Sequence, residues 1–97
     1  MKIADIVISL NGRDAGKRFI VIAVDAGYSM LADGKGRKYD KPKRKKNKHL
    51  RHENKADSLI AEKLLRGEKV TNNEIRRYLA QYAAEHLDEG GMQNAKG

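Results

Sequence analysis

The side chains with the clearest chemical potential in this chain are cations, and they are concentrated in one stretch. Residues 34–55 hold eleven Lys or Arg side chains against two acids, a net charge of +9. Residues 1–33 are neutral overall and residues 56–97 carry −1, so this middle stretch supplies the whole formal net charge of +8. Such a concentration predicts a surface that binds phosphates, as nucleic acids present them. A solvated flexible loop without a ligand is the alternative.

A glycine-bracketed turn, GRDAGKR (residues 12–18), lies upstream of the basic stretch. Its two glycines permit positive φ angles, which allow a tight, exposed loop whose backbone N–H groups approach a phosphate closely. Its three basic side chains add charged donors beside that backbone. An ordinary hairpin turn, in which Asp14 bonds its own backbone, is the alternative interpretation.

Other chemistries find little support in the sequence. The 97 residues include no cysteine, which excludes disulfides, thiolate nucleophiles and cysteine-ligated zinc and fits a reducing compartment. His49 and His52 are three residues apart, a spacing that points them to opposite faces of a strand, so we expect no shared metal. No Ser-His-Asp grouping or paired carboxylates stand out. We therefore expect no enzyme activity, cofactor, metal or small-molecule substrate.

The elements that must position the cations are predicted to be strands. Apolar runs over residues 6–10, 18–24 and 28–32, the second of them mostly β-branched and aromatic, each end in a turn signal containing glycine, which predicts three short strands. A weaker fourth strand is predicted over residues 37–39 and a fifth over 47–52. The basic run between these two is expected to be a loop or an exposed strand edge. This pattern predicts a small β-barrel or sandwich.

The period of the apolar residues becomes helical in the last third of the chain. It predicts one helix near residues 55–66 and a second near residues 72–87. Gly67 marks the end of the first helix, and the TNNE sequence at 71–74 matches a capping box at the start of the second. The two helices are expected to form a hairpin, whereas residues 89–97 have no pattern and are expected to be disordered.

The second predicted strand is apolar on both faces and therefore needs cover on both. We assign one face to the barrel interior, together with residues of the neighbouring strands: Ile8, Ile20, Ile22, Val24 and Leu31. We expect the helical hairpin to pack on the opposite face, that of Phe19 and Val21.

Three segments, taken in order, resemble a known family. They are GRDAGKRFIVIAV (residues 12–24), LADG (residues 31–34) and the basic segment that ends NKHL (residues 47–50). A turn of this kind followed by a Val/Ile strand resembles the KOW motif of translation and transcription proteins. The three together resemble the archaeal and eukaryotic large-subunit ribosomal protein numbered fourteen in the e-type series. They also resemble the short bacterial KOW-domain RNA-binding proteins that are similar to it.

The resemblance covers residues 3–52 and implies an SH3-like β-barrel, ribosomal RNA as the ligand and no catalysis. The glycine of the motif corresponds to Gly16. The extra basic residues and Pro42 depart from the family pattern, and the helical third lies outside it. We expect a mostly β fold with C-terminal α-helices, in which residues 1–53 form a small SH3-like KOW barrel with a basic loop. Residues 54–88 would form a helical hairpin packed on or beside it, before the disordered tail.

The expected function is the binding of structured ribosomal RNA on the large subunit, by a ribosomal or ribosome-associated protein of the cytoplasm that acts in translation. The five aromatic side chains are few, which favours recognition of phosphates and shape over base reading. Neighbouring ribosomal proteins are expected at the helices, and no membrane is expected. The residues predicted to bind RNA lie in the glycine loop and the basic stretch: Gly12, Arg13, Gly16, Lys17, Arg18, Lys35, Arg37, Lys38, Lys41, Lys43, Arg44, Lys45, Lys46, Lys48, His49 and Arg51.

Two further hypotheses remain at this point. The chain could be a KOW-type protein-interaction module of the translation or transcription machinery, with the helices as the docking surface and the basic stretch incidental. It could also bind DNA through a helix-turn-helix, with Arg76 and Arg77 near the start of the second helix. The net negative charge of the helical third argues against DNA, because it provides no field that attracts phosphates.

Overall fold

Five short strands precede two helices along the chain. The computed structural model describes residues 1–96, with side chains through residue 86. The elements are β1 (Asp5–Ser9), β2 (Arg18–Asp25), β3 (Tyr28–Ala32), β4 (Lys43–Lys46), β5 (Leu50–Lys55), α1 (Leu59–Leu65) and α2 (Asn72–Lys96), with a 3-10 turn (Asn47–His49) between β4 and β5. The predicted mostly β chain with C-terminal helices is confirmed.

All five strands belong to one antiparallel sheet with the spatial order β4-β3-β2-β1-β5. β2, β3 and β4 follow one another as a meander, and β5 then returns to pair with β1, where Ile8 lies opposite Arg51. β4 and β5 are the two edges, so backbone pairing does not close the sheet. Leu31 of β3 and Leu50 of β5 nevertheless share one buried cluster. Four of the five residues of this cluster are 0% exposed although none of them belongs to a helix, which indicates that the sheet curls over them.

The face enclosed by this curl is the opposite of the one predicted. Its core consists of Val7, Phe19, Val21, Leu31 and Leu50. Of the residues assigned to the interior, only Leu31 lies there; Ile20 and Ile22 face the other way and Val24 is 44% exposed. A strand that is apolar on both faces does not reveal which face will be enclosed. A bulge between Val21 and Ala23 also breaks the alternation on which the assignment of Val24 depended.

The helices cover the other face of the sheet. Ile6 of β1, Ile20 of β2 and Ala32 of β3 share a cluster with Ala4, which precedes β1, and with residues of both helices and their linkers: Ala56, Ile60, Ala61, Leu64, Val70, Ile75, Leu79 and Tyr82. The hypothesis that the hairpin packs on the Phe19 and Val21 face is therefore wrong, although the strand does need cover on both faces. Since this cluster is the larger of the two, the helices provide much of the core that a sheet domain of about fifty residues lacks on its own.

The signals that begin and end the helices act as predicted. The N–H of Glu74 donates to Thr71 Oγ1 (3.1 Å) and the N–H of Thr71 donates to Glu74 Oε2 (2.8 Å), which completes the capping box. At the end of α1, Gly67 has a φ of +75°. The N–H of Glu68 then donates to the carbonyl of Lys63 (2.8 Å), a Schellman closure.

The bounds of the helices differ from those predicted. α1 is confined to Leu59–Leu65, shorter than residues 55–66, because β5 continues to Lys55. α2 extends to Lys96, past the predicted end near residue 87. The prediction of a disordered tail concerns residues 89–97, whose side chains lie outside the described part of the chain. Within the part that the structure describes, neither helix combines the length and the apolar character needed to cross a membrane.

The fourth strand lies later than predicted. Asp33 Oδ1 accepts the N–H of Lys35 (2.9 Å) and the N–H of Arg37 (2.8 Å), which folds this segment into a tight turn. The prediction of a strand over residues 37–39 is therefore wrong. Pairing with β3 starts at Lys43, so the basic run itself becomes an exposed edge strand, one of its two expected forms. The 3-10 turn then delays the fifth strand, predicted from residue 47, to Leu50.

Candidate nucleic-acid interface

The glycine loop joins β1 to β2 and is held partly by its own backbone. The N–H of Gly16 donates to the carbonyl of Ser9 (2.8 Å), and the N–H of Lys17 donates to that of Asp14 (3.0 Å). Gly12 and Gly16 have φ angles of +76° and +84°, which glycine adopts at little cost. Because these two N–H groups are already bonded, they are not available to a phosphate.

Asp14, at the centre of this loop, is buried and connects it to the loop between β3 and β4. Arg37 donates to Asp14 Oδ2 from Nη2 (2.9 Å) and Nε (3.2 Å), and Lys17 Nζ lies 3.7 Å from Asp14 Oδ1. Burial alone would raise the pKa of Asp14, but the hydrogen bond and charge of Arg37, with nearby lysines, hold that pKa below its ordinary value. The ionised carboxylate therefore fixes the position of Arg37.

Residues of β4 and the 3-10 turn contact the same loop from another side. Lys45 Nζ donates to the carbonyl of Asn11 (2.8 Å), and Asn11 Nδ2 lies 2.9 Å from His49 Nδ1. The N–H of Leu10 also donates to the carbonyl of His49 (2.9 Å). Three segments that are far apart in the sequence are thus joined around the glycine loop.

We term the cations of these three segments the basic surface. Its members are Arg13, Lys17, Lys35, Arg37, Lys38, Lys41, Lys43, Arg44, Lys45, Lys46 and Lys48. Most of them are exposed. Among the described side chains, no carboxylate lies within ion-pair distance of Arg13, Lys38 or Lys48. Their charge is therefore available to an anionic ligand.

The structure separates Arg18 and Arg51 from the basic surface. Arg18 lies on the helix side of the sheet and donates to both carboxylate oxygens of Glu53, at 2.7 and 3.2 Å, while its guanidinium lies 5.2 Å from the centre of the Tyr82 ring. The hydrogen bond between them raises the pKa of Arg18 and lowers that of Glu53. Arg51 is exposed on β5, the edge strand opposite β4. Arg18 thus packs against Glu53 and Tyr82, apart from most of the other cations predicted to bind RNA.

The sequence did not predict that residues of α2 hold the β3–β4 loop in place. The N–H of Tyr39 donates to Asn72 Oδ1 (2.7 Å), and Arg76 Nη1 donates to the carbonyl of Gly34 (3.2 Å). Gly34 has a φ of +77°, and a Cβ there would collide with the carbonyl oxygen of Asn72. The first turn of α2 is therefore a support for the basic surface. The helix-start signal at 71–74 located that turn but not its partner.

The remaining candidate residues form no second reactive centre among the described residues. His49 contacts Asn11, whereas His52 Nε2 lies 3.4 Å from Asp5 Oδ1. No group of three or more acidic or histidine side chains is arranged to hold a metal in the described part of the chain. A cavity of about 250 Å³ between the end of β5 and α2, lined in part by Tyr78 and His86, shares no residue with the basic surface.

Comparison with known proteins does not indicate a function for the basic surface. No protein-family model matches the chain, and no curated protein is similar enough to count as a relative. The arrangement itself can bind a polyanion, because it joins many cations over a rigid frame of strands and turns.

Proposed function

We propose that this chain is a non-catalytic RNA-binding protein of the SH3-like KOW type, which binds structured ribosomal RNA on the large subunit and acts in translation as a ribosomal or ribosome-associated protein. The observation that carries the proposal is the basic surface. Asp14 with Arg37, and Lys45 with Asn11, join its three segments around the loop in which the KOW resemblance lies.

The strand arrangement supports the SH3-like part of the proposal. A meander from β1 to β4 is followed by a one-turn 3-10 helix, and β5 returns to β1. The sheet curls around Phe19 and its neighbours. Each of these features is expected of a small barrel of that type.

The distribution of charge supports a nucleic-acid ligand over an incidental role. Lysines on an edge strand also prevent edge-to-edge aggregation. This is the simplest alternative explanation for the lysines of β4. That alternative does not account for the cations of the two loops, or for the contact of Lys45 with the glycine loop. A polyanion accounts for all three segments together.

The packing of α2 argues against DNA binding by a helix-turn-helix. Arg76, near the start of α2, donates to the carbonyl of Gly34 and to Asn73 Oδ1 (2.8 Å). The first turn of the helix therefore contacts the β3–β4 loop, and Arg76, one of the two arginines on which this hypothesis depends, already has partners within the chain.

The proposal is tested by comparing two triple variants that lose the same charge. In the first, Lys35, Lys38 and Lys48 of the basic surface become Gln. In the second, three exposed cations outside it, Lys2, Lys55 and Arg66, become Gln. We expect the first triple to weaken binding to purified large-subunit RNA by at least about tenfold more than the second, and to reduce co-sedimentation with large subunits.

Equal effects of the two triples would show attraction by net charge alone and would contradict the proposed surface. Undiminished co-sedimentation of the first triple, with loss of co-sedimentation after changes on the helices, would favour the protein-interaction hypothesis instead.

A further inference from the structure

An arginine and a tyrosine stack on the outer face of the sheet at its β4 edge. The guanidinium carbon of Arg44 lies 3.6 Å from the centre of the Tyr28 ring. In the β3–β4 register Tyr28 is opposite Lys46, and Met30 is opposite Arg44. Residues opposite each other, and those two apart along a strand, point to the same side, so all four share one face.

The geometry of this pair suits the stacking of a third planar group, supplied by a ligand, on the guanidinium. Tyr28 is half-buried, and Arg44 covers its ring while its own side chain remains 51% exposed. The cation–π contact holds the guanidinium plane in place before any ligand arrives. A guanidinium plane held in this way, with one side toward solvent, is a surface on which an unpaired nucleobase stacks.

The neighbouring acid favours a base over a phosphate. Asp25 Oδ2 lies 3.7 Å from Arg44 Nη2, and the Asp25 side chain is 70% exposed. A carboxylate repels a phosphate group but accepts hydrogen bonds from an exocyclic amino group, such as that of adenine. Lys46, exposed on the same face, can meet the phosphate of the same nucleotide.

We propose that Arg44 and Tyr28 form a stacking site for one unpaired nucleobase of the bound RNA, and that Asp25 favours a base with an exocyclic amino group. This inference rests on the proposed function, which it deepens. The scarcity of aromatic residues had suggested that the protein recognises only the phosphates and the shape of the RNA. The stacking site adds one contact to a base.

The test uses the full chain and three labelled RNA hairpins with the same stem. One is fully paired, one carries a single bulged adenosine and one a single bulged uridine. We expect the bulged adenosine to raise affinity about tenfold over the paired hairpin, the range of one base stacked on a side chain. Arg44→Lys keeps the charge but loses the stacking plane, so it should abolish this preference: the ratio of the affinities for the bulged and the paired hairpin should fall to about one.

Two further variants separate stacking from stability. Tyr28→Phe should keep the preference for the bulged adenosine and Tyr28→Leu should lose it. Arg77→Lys, at an exposed position of α2, is the matched arginine control and should not change the preference. Thermal unfolding shows whether each variant is folded. If Tyr28→Leu does not fold, the result for Arg44→Lys still decides the test.

The possible failures are distinguishable. If the wild-type chain binds all three hairpins equally, or if Arg44→Lys retains the preference, the stacking site is refuted while the proposed function stands. Equal preference for the bulged uridine and the bulged adenosine would refute the role of Asp25. Failure to bind any hairpin at low salt, where a basic surface must attract RNA, would overturn the proposed function itself.

Discussion

The buried carboxylate of Asp14 holds part of the basic surface in position. Asp14 lies among cations and removes part of their charge, yet it fixes Arg37 at 2.9 Å and thereby the loop that carries it. Without this anchor the loop cations would have to be ordered when a ligand binds, at an entropic cost. We therefore regard Asp14 as a positioning residue of the basic surface.

The first prediction concerns Asp14→Asn. The loss of a charge-assisted pair in a buried site should reduce the free energy of unfolding at neutral pH by about 1–3 kcal/mol. It should also weaken RNA binding, although the variant is more positive than the wild type. Urea unfolding and filter binding measure the two effects.

The pH dependence of this effect has a defined sign. The pKa of Asp14 is lower in the folded chain than its ordinary 3.8, so its contribution to stability is complete above that value and is lost as pH falls through the folded pKa. The stability difference between wild type and variant should therefore disappear in acid. Asp25→Asn, which alters an exposed pair at 3.7 Å, should show little difference at any pH. A difference for Asp14→Asn that persists in strong acid would contradict this account.

At the scale of elements, the docking of the β3–β4 loop on α2 joins the binding surface to the helical unit. Gly34 permits this contact because it has no side chain, and Asn72 and Arg76 complete it. The helices thus do more than fill the core, because they also hold the loop that presents Lys35 and Lys38.

The second prediction compares two glycine variants with different surroundings. Gly34→Ala and Gly16→Ala both place a side chain at positive φ, which costs about 1–2 kcal/mol. A Cβ at Gly16 meets open space, whereas at Gly34 it collides with the backbone of α2. Gly34→Ala should therefore lower the midpoint of urea unfolding clearly more than Gly16→Ala. Equal losses would indicate that the loop does not pack on α2 in solution.

Local signals in the sequence predicted elements better than contacts between elements. The short apolar runs closed by glycine turns located β1 to β3, and the Thr71 capping box located α2, because both signals depend on nearby residues. The face of β2 that is enclosed depends on the curl of the whole sheet, so alternating apolar residues could not identify it. Residues 37–39 do not form a strand because the side chain of Asp33 accepts hydrogen bonds from the backbone and folds the segment into a turn. Residue propensities do not describe such side-chain hydrogen bonds.

The site shows the same division between composition and geometry. The positive charge of the basic stretch was evident from composition, and the structure brings most of it together. Arg18 carries the same charge and adjoins the glycine loop, but its place opposite Ile8 directs it toward Glu53 and the helices. Only the register of the strands separates it from Lys17, its neighbour in the sequence.

At the scale of the whole molecule, charge and apolar packing are divided between the segments. The formal net charge of +8 comes from the stretch that forms most of the basic surface, whereas the residues from 56 onward are slightly negative. This asymmetry orients the chain toward a polyanion before contact is made.

The third prediction follows from that asymmetry. If the basic surface contacts on the order of six phosphates, log K should fall against log salt with a slope of roughly −4 to −5. The triple variant of Lys35, Lys38 and Lys48 should make the slope shallower by about 2–3, and the triple of Lys2, Lys55 and Arg66 should leave it nearly unchanged. Fluorescence anisotropy over a salt series measures both. Affinity that does not depend on salt would rule out an electrostatic interface.

The central position of β1 has a consequence for synthesis of the chain. β1 lies between β2 and β5, and β5 follows it by about forty residues. At roughly 5–20 residues per second, an apolar strand edge waits several seconds for its last partner. The lysines of β4 leave the ribosome before that partner does. The nascent chain is therefore already strongly cationic while its sheet is still incomplete.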